Sequence, residues 1–234
     1  MKSTEIKAIV TGGSLGIGLA TAELLVSSGA RVLITGRDEA RLQKAAAQSG
    51  ADYLVADVAD PQQVKATVQQ ALSLFGGLNT LVNNAGIWSG GTSLLEAELD
   101  DFQKVFAVNV FGAAMMAKEA ARVFVDQKYG NIINIASTAA RKGFANGTVY
   151  ASSKFALRGM TECWQAELRK YNIRVMLINP SEVTTAFGNA SREERPAQPN
   201  RLRGIEIAHV VKSVLEMDQR GFVPELTVFA TNPW

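Results

Sequence analysis

Three side chains in the second half of the sequence are of types that move protons and stabilise negative charge. Tyr150 and Lys154 are four residues apart near the start of a predicted helix, so both project from one helix face. Ser137 follows a predicted strand at 131–136. A neighbouring ammonium lowers the pKa of a tyrosine, and a serine hydroxyl can donate to an oxygen that gains charge. The set predicts acid–base catalysis on a carbonyl or alcohol oxygen, although a Tyr-x-x-x-Lys pair alone is common by chance.

A glycine-rich turn lies between the first predicted strand and the first predicted helix. It runs from Thr11 to Gly18, with glycines in the pattern Gly-x-x-x-Gly-x-Gly. Glycine lets the backbone approach a pyrophosphate closely, and a helix N-terminus offers free N–H groups at the positive end of its dipole. Tight turns also favour glycine for structural reasons, but a strand before and a helix after this one favour nucleotide binding.

The end of the second predicted strand indicates which dinucleotide the turn would serve. NAD sites place an acid there, about 20 residues after the turn, to hold the ribose hydroxyls. This chain has Gly36 and Arg37 instead. An arginine fork fits a phosphate and Ser14 can add a hydroxyl, so these residues predict NADP (NADPH) rather than NAD. The alternative is a solvated surface arginine.

Short apolar runs alternate with longer helical patterns along the chain. This alternation implies right-handed βαβ crossovers and a parallel α/β sheet that helices cover on both faces. Ligands of such sheets bind at the carboxyl ends of the strands, the edge at which the glycine turn and Ser137 lie. The polar stretch 183–204 lacks periodicity and is predicted to be a substrate loop. Strands are predicted at 6–11, 31–35, 52–56, 78–82, 131–136, 173–178 and 226–229, and helices at 19–28, 38–48, 61–75, 99–127, 150–171 and 205–217.

Composition and charge restrict the class of protein. The 234 residues are 47% hydrophobic and carry a net charge of +2, which favours one domain over residues 1–234 and argues against a nucleic-acid partner. The single cysteine, Cys163, excludes internal disulfides and is expected to be a buried small hydrophobe. The single histidine, His209, argues against a histidine-based triad or metal cluster. Neither a membrane span nor a signal peptide is evident, so we expect a cytoplasmic protein.

The joint pattern resembles the short-chain dehydrogenase/reductase family, whose motifs occur here in family order from residue 11 to 180. The resemblance implies a Rossmann-like, three-layer αβα fold with seven strands, and a nicotinamide cofactor. The family usually has glycine after Asn179-Pro180, where this chain has Ser181; we expect the change to be tolerated because the backbone makes the contacts there. The matching elements are Thr11-Gly12-Gly13-Ser14-Leu15-Gly16-Ile17-Gly18, Asp57-Val58, Asn83-Asn84-Ala85-Gly86, Asn109, Ser137, Tyr150-Ala151-Ser152-Ser153-Lys154 and Asn179-Pro180.

The resemblance also implies roles for particular residues. Tyr150 is the acid/base, and Lys154 holds the nicotinamide ribose. Ser137 binds the substrate oxygen, and Asn109 positions a water for proton relay, although an asparagine inside a helix can instead cap a kink. The residues implied in cofactor binding are Gly12, Ser14, Leu15, Gly16, Ile17, Gly18, Arg37, Asp57, Val58, Asn84, Ala85, Gly86, Tyr150, Lys154, Pro180 and Val183.

The substrate end and the outer helix surfaces give two further predictions. Trp88, Phe144 and Phe187 are candidates for an apolar wall of the substrate pocket. The predicted helices at 99–127 and 150–171 carry more apolar surface than one core needs, which predicts a second subunit against them. The resemblance points the same way, to a homodimer or homotetramer built on these two helices.

Several functions fit these residues. The leading interpretation is an NADPH-dependent carbonyl reductase or alcohol dehydrogenase acting on a small-molecule carbonyl substrate. A 3-oxoacyl-carrier-protein reductase is the alternative, with acyl carrier protein as partner, although the segment before residue 131 is poorer in basic residues than that group usually shows. A catalytically silent, cofactor-binding regulator is a lesser alternative, against which the intact Ser137, Tyr150 and Lys154 argue. Sugar-nucleotide epimerases share the Tyr-x-x-x-Lys pair but need a further substrate domain.

Overall fold

Seven parallel strands form one sheet in the order β3-β2-β1-β4-β5-β6-β7, in a computed structural model that describes residues 1–189 and 191–233. The winding direction reverses between β1 and β4, which opens the crevice where ligands of doubly wound sheets bind. The predicted Rossmann-like parallel fold is therefore confirmed. The strands are β1 Lys7–Thr11, β2 Arg31–Gly36, β3 Asp52–Val55, β4 Thr80–Asn83, β5 Gly130–Ile135, β6 Ile173–Pro180 and β7 Glu225–Val228.

Helices cover both faces of the sheet, and the side chains of β1 show how the core divides. Ala8 and Val10 pack into a cluster with α1, α2 and α7, whereas Ile9 points to the other face, into a cluster with α3 and α5. Continuous apolar strands are required because both faces are buried. The helices are α1 Gly16–Ser27, α2 Glu39–Ser49, α3 Pro61–Phe75, α4 Leu99–Phe106, α5 Ala113–Gln127, α6 Thr148–Leu168 and α7 Gly204–Glu216.

The helix predicted at 99–127 is divided by a π-helical turn, Ala107–Gly112, between α4 and α5. Asn109 lies in this turn and is 1% exposed. Its Oδ1 accepts from the Ile87 N–H at 2.8 Å, and its Nδ2 donates to the Ile87 carbonyl at 3.0 Å. These bonds tie the helix to a segment 22 residues earlier in the chain, and such turns are frequent at functional sites.

The prediction that Cys163 is buried is wrong, because its side chain is exposed on α6. Leu157 and Thr161, four residues apart, are the residues that this part of α6 buries. Cys163 is two residues beyond Thr161 and therefore points away from the sheet. Within residues 1–189 and 191–233, no helix is long and apolar enough to cross a membrane.

Candidate active site

A cavity of about 850 Å³ lies along the carboxyl edge of the sheet. Its walls come from the segments that follow β1, β2, β4, β5 and β6, and it extends from Arg37 to Tyr150 and Lys154. Its volume is within the range of ligand pockets in proteins. The described part of the chain contains no cluster of three or more His, Cys, Asp or Glu residues that could hold a metal ion.

The glycine turn forms one wall of the cavity and includes the first three residues of α1, Gly16 to Gly18. Gly16 has φ +56°, a left-handed conformation that favours glycine. A Cβ atom at Gly18 would lie 2.3 Å from the Gly12 carbonyl oxygen, so this position packs against the turn. The Asn84 side chain braces the turn from β4, because its Nδ2 donates to the Thr11 carbonyl at 2.9 Å and to the Gly12 carbonyl at 3.0 Å.

At the far end of the cavity, Arg37 carries the positive charge that the sequence analysis singled out. Its side chain is 59% exposed, and its Nη1 is 3.8 Å from Asp57 Oδ2. A Cβ atom at Gly36 would meet Ser14 Oγ and the Leu42 side chain at ordinary contact distances of 3.6 Å. The fold therefore does not require glycine at position 36. This favours a functional reason for the absence of the acidic residue that NAD sites place at the end of the second strand. Arg37 is held on the cavity rim.

Ser137 comes two residues after β5 and begins a short 3-10 turn, Thr138–Ala140. Its Oγ accepts from the Ala139 N–H at 3.1 Å. The hydroxyl hydrogen remains available to donate, and the Ser137 side chain acts to lower the pKa of the neighbouring Tyr150. The Ala139 N–H thus fixes the serine Oγ in the cavity that Tyr150 also lines.

Tyr150 and Lys154 lie in the first two turns of α6 and both line the cavity. Burial raises the pKa of Tyr150 to about 12, and the hydrogen bond with Ser137 acts in the opposite direction. Burial also lowers the pKa of Lys154 to about 8. The net shift of the Tyr150 pKa is therefore upward and not downward as expected, because burial is its largest cause; the Lys154 ammonium lies 5.7 Å from the centre of the tyrosine ring.

The Lys154 ammonium donates to the Ile135 carbonyl oxygen at 3.1 Å. Asn109 reaches the same region: a Cβ atom at Gly86 would lie 3.4 Å from Asn109 Oδ1 and 3.7 Å from Lys154 Nζ. Asn109 Nδ2 also donates to Ser153 Oγ at 3.1 Å. Besides bracing Ile87, Asn109 is thus placed beside the lysine, whereas the water relay expected of it stays a prediction.

The three aromatic residues predicted to form the substrate wall gather around Tyr150. Trp88 meets the Tyr150 ring edge-on with centroids 5.0 Å apart, and Phe187 lies 5.8 Å from it. Phe144 stacks on Trp88 at 6.0 Å and is half exposed. Only Phe187 of the three lines the cavity. Trp88 instead packs against the edge of the Tyr150 ring, and Phe144 stacks on Trp88.

The other predicted site residues divide into those that line the cavity and those beneath it. Gly18 and Asn109 lie outside its lining and act through packing and hydrogen bonds. The predicted residues that do line it are Gly12, Ser14, Leu15, Gly16, Ile17, Arg37, Asp57, Val58, Asn84, Ala85, Gly86, Ser137, Tyr150, Lys154, Pro180, Val183 and Phe187.

Two cavity-lining arginines were missed by the sequence analysis. Arg41 is in the first turn of α2, and its place shortly after the second predicted strand, at the sheet edge where ligands bind, could have indicated a second cation there. Its Nε is 3.5 Å from Asp38 Oδ2. Arg192 belongs to the polar stretch 183–204, where the sequence has no periodicity from which a direction could be predicted.

Comparisons with known proteins bear on this geometry. Residues 7–196 match a family model described as short chain dehydrogenase. Short chain aldehyde dehydrogenase 1 of Euphorbia lathyris is 35% identical over 215 residues, 89% of this chain and 71% of that protein. An alcohol dehydrogenase of Thermococcus sibiricus, solved with 5-hydroxy-NADP, is 27% identical over 96% of both chains, with a TM-score of 0.87. The structure of a putative betaketoacyl-ACP reductase is 34% identical over 95% of both chains, with a TM-score of 0.82.

Proposed function

The chain belongs to the short-chain dehydrogenase/reductase family of oxidoreductases, and from this premise we propose that it reduces a ketone to an alcohol with NADPH. One observation carries the proposal. Ser137, Tyr150 and Lys154 line one end of a single cavity whose other end contains the glycine turn and two arginines. A group for proton transfer and a cradle for a phosphorylated dinucleotide therefore share one space, within what we propose is a single domain.

The residues present fit a nicotinamide dinucleotide. A Cβ atom at Gly12 would lie 2.9 Å from the Ala85 Cα, so the turn is as closely packed as its sequence allows, with the α1 N-terminus beside it. The turn would hold the pyrophosphate, Asp57 and Val58 the adenine, and Lys154 the nicotinamide ribose. When bound, the reduced nicotinamide supplies a hydride to the carbonyl carbon of the substrate.

Tyr150 supplies the proton that completes the reduction. As the carbonyl carbon accepts a hydride, its π electrons move to the oxygen, which takes the proton from the Tyr150 hydroxyl. With its pKa raised to about 12, Tyr150 stays protonated at neutral pH, and an alkoxide is a stronger base than a tyrosinate, so the transfer remains favourable. The Ser137 hydroxyl donates to the same oxygen and orients the carbonyl.

Lys154 acts after the proton has left. Its ammonium lies beside the tyrosinate that forms and compensates that negative charge in a buried environment. Asn109 is a positioning residue, because its side chain fixes Ile87 and Ser153 next to the lysine. The direct test is the loss of NADPH absorbance with a panel of ketones, diketones and a 3-oxoacyl thioester. No oxidation with any of them would refute the proposed reaction.

Reduction of a carrier-bound 3-oxoacyl thioester is the second candidate. The 34% identity to the structure of a putative betaketoacyl-ACP reductase favours it. The same panel separates the two candidates, because a carrier-protein reductase turns over the thioester with a much higher kcat/KM than small ketones. Dinucleotide binding without turnover of any substrate would instead favour the silent, regulatory alternative.

Cofactor choice is expected to depend on Arg37. Two charges about 4 Å apart interact by roughly 4 kcal/mol at an effective dielectric constant of 20, and exposure reduces this to about 1–3 kcal/mol, or roughly 5- to 150-fold in affinity. We therefore expect kcat/KM to be higher for NADPH than for NADH by a factor in this range, and Arg37→Ala to remove most of the difference. Lys44→Ala, on an exposed part of α2 outside the cavity lining, is the control. Equal values in the wild type would show that Arg37 is a solvated surface residue.

We also propose that α5 and α6 face a second copy of the chain. Phe111, in the π-helical turn that precedes α5, and Phe155 on α6 are 58% and 43% exposed, and a groove that includes Ala121 and Trp164 runs between the helices. Sedimentation at micromolar concentration is expected to give the mass of two or four chains. Gly159→Glu places a charge on the side of Phe155 without an internal clash and is expected to dissociate the oligomer, whereas Gln69→Glu on α3 is not. A 25.1 kDa monomer in the wild type would contradict the proposal.

A further inference from the structure

The polar stretch after β6 forms a strap across the cavity, defined here as residues 182–189 and 191–202; Ala190 lies outside the described residues. The two ends of the strap are tied together, because Val183 pairs with Leu202 and the Thr184 N–H donates to the Leu202 carbonyl at 2.7 Å. An ion pair between Glu182 and Arg201 adds to this closure. The two ends of the strap are therefore held together at one place beside the sheet edge.

Arg195, in the C-terminal half of the strap, binds the backbone of its N-terminal half. Its Nε donates to the Thr185 carbonyl at 3.0 Å, and its Nη2 donates to the Val183 carbonyl at 3.3 Å. Thr185 lies over the glycine turn, since a Cβ atom at Gly16 would meet its side chain at 3.1 Å. The residue before Arg195 is thereby brought to the N-terminus of α1.

That residue, Glu194, directs its carboxylate at the helix. The Gly16 N–H donates to Glu194 Oε1 at 2.9 Å. Gly16 is the first residue of α1, and the preceding residue, Leu15, supplies no capping side chain. An N–H group at this position has no partner within its own helix and lies at the positive end of the helix dipole. The carboxylate thus occupies the kind of position in which helix N-termini bind phosphate.

We propose that Glu194 is a built-in competitor of the dinucleotide, and that its carboxylate holds the Gly16 N–H until the pyrophosphate displaces it. The inference rests on the proposed use of a dinucleotide. A carboxylate and a pyrophosphate placed at one N–H donor repel each other, so binding selects strap positions in which Glu194 has withdrawn. Arg192, two residues earlier, lines the same cavity. An anionic ligand repels the carboxylate and attracts this guanidinium, so both charges of the strap respond to its arrival.

A purely structural role for Glu194 makes a different prediction. If the carboxylate only capped α1, its removal would lower stability and leave dinucleotide affinity unchanged or weaker. If it competes, its removal tightens binding. The contact is exposed, so the expected gain is modest: roughly two- to fivefold in Kd, the range for a carboxylate at an exposed helix N-terminus.

The experiment compares Glu194→Ala with Glu193→Ala. Direct binding of NADPH and of NADH to each variant is measured by calorimetry. Glu193 has the same charge one residue away, but its carboxylate contacts Ser191 rather than α1. Glu194→Ala is expected to lower both Kd values by the same factor, because the pyrophosphate is common to the two cofactors. The ratio between NADPH and NADH therefore stays that of the wild type, unlike in Arg37→Ala.

Amide hydrogen exchange at Gly16 in the free protein supplies a second measurement, which needs neither cofactor nor turnover. We expect faster exchange in Glu194→Ala than in the wild type and in Glu193→Ala. Equal affinities for the wild type and Glu194→Ala, equal gains in both variants, or unchanged exchange at Gly16 would each overturn the inference. Tighter binding without reduction of any substrate would instead refute the proposed reaction and leave the competition by Glu194 standing.

Discussion

Tyr150→Phe is expected to lower kcat for ketone reduction by a factor of about 10²–10⁴, the usual contribution of a positioned acid, with dinucleotide affinity almost unchanged. Phenylalanine keeps the ring that packs between Trp88 and Phe187, so the shape of the site persists. Only the hydroxyl is lost, and with it the proton for the developing alkoxide. Because one interaction in the transition state is removed, KM should change little while kcat falls.

The matched control for this variant is Tyr53→Phe, which removes the hydroxyl of a partly exposed tyrosine on β3 that does not line the cavity. NADPH oxidation is measured at saturating substrate, and NADPH binding is measured separately by calorimetry. Activity of Tyr150→Phe within threefold of the wild type would remove Tyr150 from the acid/base role. A loss of NADPH affinity as large as the loss of turnover would show that the variant disturbs the cofactor cradle instead.

The strands and most helices could be predicted because their signals are local. β1 is an apolar run. Asp60-Pro61 indicates the start of α3, where the Asp60 side chain accepts hydrogen bonds from two backbone N–H groups. The π-helical turn at Asn109 could not be predicted, because its cause is a pair of hydrogen bonds with Ile87 in a distant segment. The sequence of residues 99–127 alone gives no indication of that partner, because Ile87 lies outside it.

In the site, too, features with a local signal could be predicted, whereas those caused by distant contacts could not. Residues at strand ends, such as Ser137, could be assigned to one edge because parallel strands end together. The direction of the pKa shift of Tyr150 was predicted wrongly, because its largest cause is burial of the hydroxyl, a tertiary property that residue spacing does not show. Glu194 and Arg192 lie in a stretch without periodicity, so nothing in their spacing could indicate that one reaches α1 and the other the cavity.

Lys154→Met is expected to have the second large effect on activity, and to act in two ways. Removing the ammonium leaves the tyrosinate that forms during turnover without a compensating charge, so kcat should fall by at least about 10²-fold. The proposed contact with the nicotinamide ribose is lost as well, so the Kd for NADPH should rise. This combined loss distinguishes Lys154 from Tyr150, whose substitution affects turnover alone. Lys44→Met on the exposed side of α2 should change neither quantity.

The same substitution should make the protein more stable at neutral pH. Burial lowers the pKa of Lys154 to about 8 from 10.5, so at pH 7 the folded state holds a charge that would be better solvated after unfolding. At about 1.4 kcal/mol per pKa unit this costs roughly 3 kcal/mol, and losing the hydrogen bond to the Ile135 carbonyl offsets about 1 kcal/mol. We therefore expect Lys154→Met to raise the free energy of unfolding by about 1–2 kcal/mol.

The pH dependence of that difference tests its cause. Between pH 8 and about 10.4 the unfolded wild type binds more protons at Lys154 than the folded protein, so wild-type stability gains with rising pH in this window. Methionine does not titrate, and the advantage of Lys154→Met should therefore shrink from pH 7 to pH 9.5 in urea denaturation. A variant that is less stable than the wild type at pH 7 would contradict the argument. So would an advantage that stays constant with pH, because the stabilisation would then come from packing of the methionine and not from removal of a buried charge.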